Sequence, residues 1–253
     1  MTGGLVRFIL PVLGLALLVL AWHLYVVSFD VPVAVLPKPA LVLDSTLANW
    51  RLIVAEGWIT LLESLYGFIL ALVLGVPLAV AIAGSRTLNL MFYPLLIATQ
   101  SLPKVALAPL ILVWLGIGMN SKLAIAWLVA FFPIVVDTAT GLRNTPAEFL
   151  DLATAVRANA LQTFWKIRLP AALPFVISGC KVAITLAVIG AVIGEFIGSN
   201  DGLGNLLLVA NSQVNMPLAF ACLIGLAVIG IGLYALVVAV ELALKPWFGE
   251  TVH

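Results

Sequence analysis

Lys104 is hard to explain as packing alone. It sits within an apolar run at about residues 90–117, in the segment Ser101-Leu-Pro-Lys-Val105, with Gln100 and Ser101 one turn away. A cation at the centre of a bilayer costs about 3 kcal/mol or more, so it faces an interior or water. An ammonium only donates hydrogen bonds. Pro103 and Pro109 interrupt the helix and free backbone groups that need a cavity or protein partners. Gln100, Ser101, Pro103 and Lys104 are therefore expected to line a polar path that a small anion would suit. The competing expectation is a permanent acid partner for Lys104, either Glu195 or Asp137. A second group is Glu195 with Gly202 and Gly204, followed by Asn205, Asn211 and Gln213. It reads either as a gate at one membrane face or, more blandly, as a solvated helix end. Asp137 is expected to pair with Arg143, and Lys181 and Glu241 to snorkel from helix ends.

No residues are spaced for catalysis. His23 and His253 are the only histidines, and no H-E-x-x-H helix is present. Cys180 and Cys222 are too few for a disulfide framework and lack metal-ligand spacing. No catalytic residue, bound metal or cofactor of this chain is expected. There is no basic tail or acidic run, which argues against a nucleic-acid partner.

These side chains must be positioned by helices in lipid. The 253 residues are 64% hydrophobic and 9% charged, against roughly 25% charged in soluble domains. A spanning helix needs about 20 mostly apolar residues. Such runs lie at about 8–28, 58–83, 90–117, 122–142, 173–198 and 217–244, giving an all-α membrane protein with six spans. The first is read as an uncleaved span. With both termini in the cytoplasm, Arg7, Arg86, Arg143, Arg157, Lys166, Arg168 and Lys245 lie inside, and Lys38, Arg51 and Lys122 outside, as the positive-inside rule favours. This topology separates Cys180 from Cys222. The expected division is residues 1–57, the first span and an external segment, and 58–253, the core. Gly190, Gly194 and Gly198 are spaced for close helix packing.

The long loop near 143–172 is expected to be cytoplasmic. Thr145, Pro146 and Glu148 suggest a capped helix start. Phe149, Leu152, Ala153 and Val156 then form an apolar stripe. Asn159 can cap a second short helix presenting Phe164, Trp165 and Ile167, with Pro170 and Pro174 marking the return to the membrane. An apolar face among Arg143, Arg157, Lys166 and Arg168 suits a docked protein, or alternatively lipid headgroups.

This loop resembles the signature E-A-A-x3-G-x9-I-x-L-P of permeases from binding-protein-dependent ABC importers. Asp151-Leu152-Ala153 is followed after three residues by Arg157, and after nine more by Ile167-Arg168-Leu169-Pro170. Asp151-Leu152 replaces Glu-Ala, and Arg157 replaces the glycine that permits a tight turn; Asn159 is the alternative residue for positive φ. Thr60-Leu-Leu-Glu-Ser64 with Gly67-Phe68, Gln100 to Gly116, and Gly194-Glu195 with Gly202-Leu203-Gly204 resemble the nitrate, sulfonate and taurine branch. The resemblance implies a type I, methionine-permease-like fold in the bacterial inner membrane. It implies an ATPase-coupling surface at Asp151, Leu152, Ala153, Arg157, Phe164, Trp165, Ile167, Leu169 and Pro170. No P-loop is present, so ATP and magnesium are expected on a separate ATPase dimer. Further expected partners are an extracytoplasmic substrate-binding protein, a second permease copy and membrane lipid. The alternative function is an ion-gradient-driven transporter.

Overall fold

The computed structural model describes the backbone from residue 3 to 248, and side chains from 9 to 245 except that of Gln100. Within that range the chain is helical and has no strand. Helix α1 (Gly3–Ser28) is exposed along most of its length; Val26 is buried and Trp22 packs on Phe220 at 5.7 Å between ring centroids. A proline-bounded turn leads to α2 (Pro39–Ala48) and then α3 (Trp50–Gly84). Helix α3 begins eight residues before the expected span and runs unbroken through the 57/58 division. Nothing between Trp50 and Gly57 breaks a helix, and Ile53 and Gly57 pack near Leu203 and α11 (Met216–Phe248).

The third span is two helices at 90°. Helix α4 (Arg86–Gln100) ends at Ser101, and a 3-10 turn (Lys104–Leu107) leads into α5 (Ala108–Leu115). Pro103 accounts for the break: it has no N–H to donate and disfavours helical backbone at Leu102. Pro109 does not break the path, contrary to expectation. It lies in the first turn of α5, where its missing N–H has no helical partner to lose. Five other helices are candidate spans by length and composition, so the broken pair brings the number to six.

Helix α6 (Met119–Arg143) packs along both α3 and α9 (Leu169–Gly198). Small residues set the spacing. A Cβ on Gly67 of α3 would lie 2.5 Å from that of Ala126, and one on Gly190 of α9 would lie 2.7 Å from the Ala126 Cα. Ala126 is thus gripped from two sides, and dispersion across such seams drives association where lipid offers no hydrophobic gain. Phe68, Ala71, Ile134, Ile184, Ala187 and Leu233 extend this core.

The remaining helices are α7 (Ala147–Ala155), α8 (Ala160–Thr163) and α10 (Leu203–Ser212). Pro170 and Pro174 do not separate a loop helix from a span. Helix α8, a π-turn at Phe164–Arg168 and α9 run together as a 39-residue rod from Ala160 to Gly198. The π-turn reflects Pro170, which cannot donate to the carbonyl four residues back.

Candidate functional site

Sequence reasoning singled out Glu195, Gly202 and Gly204 at the end of α9, and the structure brings them together. Glu195 is 1% exposed, so this is not a solvated helix end. Three successive backbone N–H groups at the start of α10 donate to side chains of two other helices. Gly202 N–H donates to Glu56 Oε2 (2.6 Å), Leu203 N–H to Thr60 Oγ1 (2.9 Å), and Gly204 N–H to Glu195 Oε2 (2.6 Å). A helix N-terminus favours negative partners. Here they come from α3 and α9, so one short helix ties both together. A side chain at Gly202 or Gly204 would collide with the Glu195 carboxyl, which explains the glycines there.

Beneath this clasp lies an ion pair that sequence reasoning missed. Lys122, expected on the external side, is 6% exposed and pairs with the fully buried Glu63. Its Nζ also donates to Ser199 Oγ at 3.0 Å. Glu63 and Glu195 are thus both buried, with the ammonium of Lys122 paired to Glu63. Thr60 Oγ1 lies 2.6 Å from Glu195 Oε1. A signal was present in the sequence: Glu56, Thr60, Glu63 and Gly67 recur at three- and four-residue spacing, one polar face on an apolar helix. Lys122 stands three residues from the start of α6. The glycine seam admits it to the interior, since a Cβ on Gly194 would lie 3.0 Å from its Cα.

At the broken span, Lys104 Nζ lies 5.0 Å from the ring centroid of Phe132. Neither acid proposed as its partner reaches it: among the described residues, Glu195 is held by Gly204 and Thr60, and Asp137 forms no salt bridge and packs at Gly179. Ser101 and Pro103 are exposed beside Lys104, and the side chain of Gln100 lies outside the described residues. Arg143 does not pair with Asp137. Six residues of helix set them about 120° apart around its axis, and Arg143 instead stacks on Tyr93 (4.7 Å) and donates to Asn89 (3.3 Å). Lys181 and Glu241 pair with each other at 2.7 Å rather than snorkelling separately.

The loop keeps much of its expected form. Phe149, Leu152, Val156, Leu161 and Trp165 are exposed, with Leu152 at 57% and Trp165 at 59%, whereas Ala153 is buried. Asp151 and Arg157 are exposed, and Phe164, Ile167, Leu169 and Pro170 are half-buried. Phe164 and Trp165 meet edge-on at 5.5 Å. The capping assignment moves. Thr145 donates to the Leu142 carbonyl, Pro146 precedes the first helical residue, and the capping box is formed by Asn159 and Gln162. Arg157 itself takes the left-handed position, at φ +54°, while Asn159 is extended. Arg157 N–H donates to the Thr154 carbonyl and Ala158 N–H to that of Ala153. This is a Schellman ending with arginine at the site that favours glycine. The cysteines are free.

Spanning helices thus pack along an interior glycine seam, one apolar segment breaks beside a lysine with no salt bridge among the described residues, and an apolar loop stands outside the bundle. Residues 71–247 match the family of binding-protein-dependent transport system inner membrane components, and the chain belongs to that family. It is 36% identical to a probable ABC transporter permease of Haemophilus influenzae, covering 90% of this chain and 94% of that protein. It is 37% identical to a riboflavin transport system permease of Chloroflexus aurantiacus, over 96% and 93%. A formylaminopyrimidine transport permease of Halalkalibacterium halodurans is 36% identical over 72% of each chain. An inward-facing methionine ABC transporter structure shares the fold, with a TM-score of 0.61 at 21% identity over 76% of this chain and 96% of that one. The chain is an integral membrane ABC permease with a type I importer fold.

Proposed function

We propose that this permease carries a small anionic or heteroaromatic solute from an extracytoplasmic binding protein into the cytoplasm, as one of two copies seated on a separate ATPase pair. The apolar loop is the observation that carries the reading. Phe149, Leu152, Val156 and Trp165 stand in the open on short helices among basic residues. Leaving such a cluster in water forfeits burial worth about 1.5–3 kcal/mol per large side chain. A groove on an ATPase covers it, and basic Arg157, Lys166 and Arg168 meet acidic residues there. Both termini and the loop then lie in the cytoplasm, and Glu195, Gly202 and Gly204 lie at the external end. ATP and magnesium bind the partner, not this chain.

The path runs between the two copies, past Gln100, Ser101, Pro103 and Lys104. An ammonium over an aromatic face, with no acid paired to it among the described residues, welcomes an anionic group or an electron-rich ring. Relatives that transport riboflavin and a formylaminopyrimidine support the heteroaromatic option, and relatives for sulfonates and taurine the anionic one. The test is co-purification with the ATPase, followed by ATP-dependent uptake into proteoliposomes with the binding protein. Lys104→Met should lower uptake while assembly and ATP hydrolysis persist. Unchanged uptake in a stable mutant removes Lys104 from the path, and a complex holding one permease copy rejects the homodimer.

A further inference from the structure

The buried clasp has a charge imbalance. Glu63 and Glu195 are 0% and 1% exposed, and among the described residues Lys122 is the one cation paired against them. The other acids nearby do not change the balance. Glu56 is only half-buried and is occupied by the Gly202 N–H, and Asp201 is exposed. A buried charge without compensation is strongly destabilising, so two carboxylates sharing one ammonium leave one negative charge to neutralise.

The hydrogen inventory locates the missing positive charge. Thr60 Oγ1 accepts from Leu203 N–H and has one hydrogen of its own. Two acceptors compete for that hydrogen, the Glu56 carbonyl at 3.3 Å and Glu195 Oε1 at 2.6 Å. If Glu195 is the neutral acid, every claim is met. Its Oε1–H donates to Thr60, the Thr60 hydroxyl donates to the Glu56 carbonyl, and Oε2 accepts from Gly204. The 2.6 Å separation also suits an O–H···O bond. The partner of Glu63 among the described residues is the Lys122 ammonium, which forms a salt bridge with it. That marks Glu63 as the ionised member.

We propose that the clasp is a proton-binding site, in which Glu195 is held as a neutral carboxylic acid beside an ionised Glu63–Lys122 pair. The proton joins α9 to α3 through Thr60, at the point where both hold the start of α10.

Infrared spectroscopy of the full chain in lipid nanodiscs tests this. The difference between wild type and Glu195→Gln should show the carbonyl stretch of a protonated acid, present in wild type and lost in the variant. Loss of a carboxylate stretch instead means that Glu195 is ionised and overturns the proposal. Glu195→Gln should fold and keep the wild-type unfolding temperature, because the amide supplies a donor and an acceptor where the acid does. Glu63→Gln should be destabilised, because it strands Lys122. A tolerated Glu63→Gln with an unfolded Glu195→Gln places the proton on the other carboxyl and overturns the assignment.

Discussion

At one end of the α8–α9 rod Glu195 is 1% exposed, with each oxygen matched to a partner; at the other end Trp165 is 59% exposed with nothing over it. The first end is polar and sealed, the second apolar and open, the reverse of what water would select in a soluble protein. The contrast separates two requirements. Polar groups inside a helical bundle in lipid must be satisfied within the protein, so the clasp is complete in one chain. Apolar groups on a loop outside the bundle remain exposed only if something else covers them. The clasp is therefore built within one protomer, and the exposed loop is what the proposed ATPase docking would cover.

The contrast is broken most severely at the ion pair. Lys122→Met should cost about 3–5 kcal/mol, because Glu63 is left buried and unpaired. Thermal unfolding in detergent should show it, and Lys122→Met with Glu63→Met should recover most of the loss. A single mutant as stable as wild type would show the pair to be dispensable. Next come Leu152→Asp and Trp165→Ala, which should do the opposite. Stability should stay within about 0.5 kcal/mol, as for surface changes generally. ATPase affinity should fall by about 2 kcal/mol or more for the tryptophan, and permease-stimulated hydrolysis should be lost. Full coupling in both variants would remove the loop from the interface. The smallest effect sharpens the comparison at the loop turn. Arg157→Gly relieves left-handed backbone that costs a side-chain-bearing residue about 1–2 kcal/mol, offset by glycine's extra chain entropy of about 0.5–1 kcal/mol. It should raise stability by up to about 1 kcal/mol while coupling persists; lower stability would mean that the Arg157 side chain makes a contact of its own.

The helices, their number and the break at Pro103 were legible because apolar length and missing backbone donors are local properties. The short loop helices were legible by spacing, whereas the left-handed residue was left open between a changed turn at Arg157 and Asn159, and it is Arg157. The clasp was only half legible. Glu195, Gly202 and Gly204 lie close together in sequence, whereas Glu56, Thr60, Glu63 and Lys122 reach them across helices. No local rule says that an acid on α3 and a lysine near the start of α6 face each other. Lys122 in particular was placed only on the external side, because counting cations gives a side of the membrane and not a partner. The Asp137–Arg143 pairing failed for the opposite reason: closeness along the chain was taken for closeness on the helix surface.

The rod that joins the two ends has a mechanical meaning. Its 39 residues measure about 58 Å at 1.5 Å per residue, with Trp165 near one tip and Glu195 near the other. Ala126, wedged between Gly67 and Gly190, prevents the neighbouring helices from shearing past it. A force applied to the loop is thus delivered to the opposite tip as a lever delivers it, by tilting a stiff body. Compliance then belongs outside the rod, where the backbone ladder of another span is already interrupted at Ser101–Pro103.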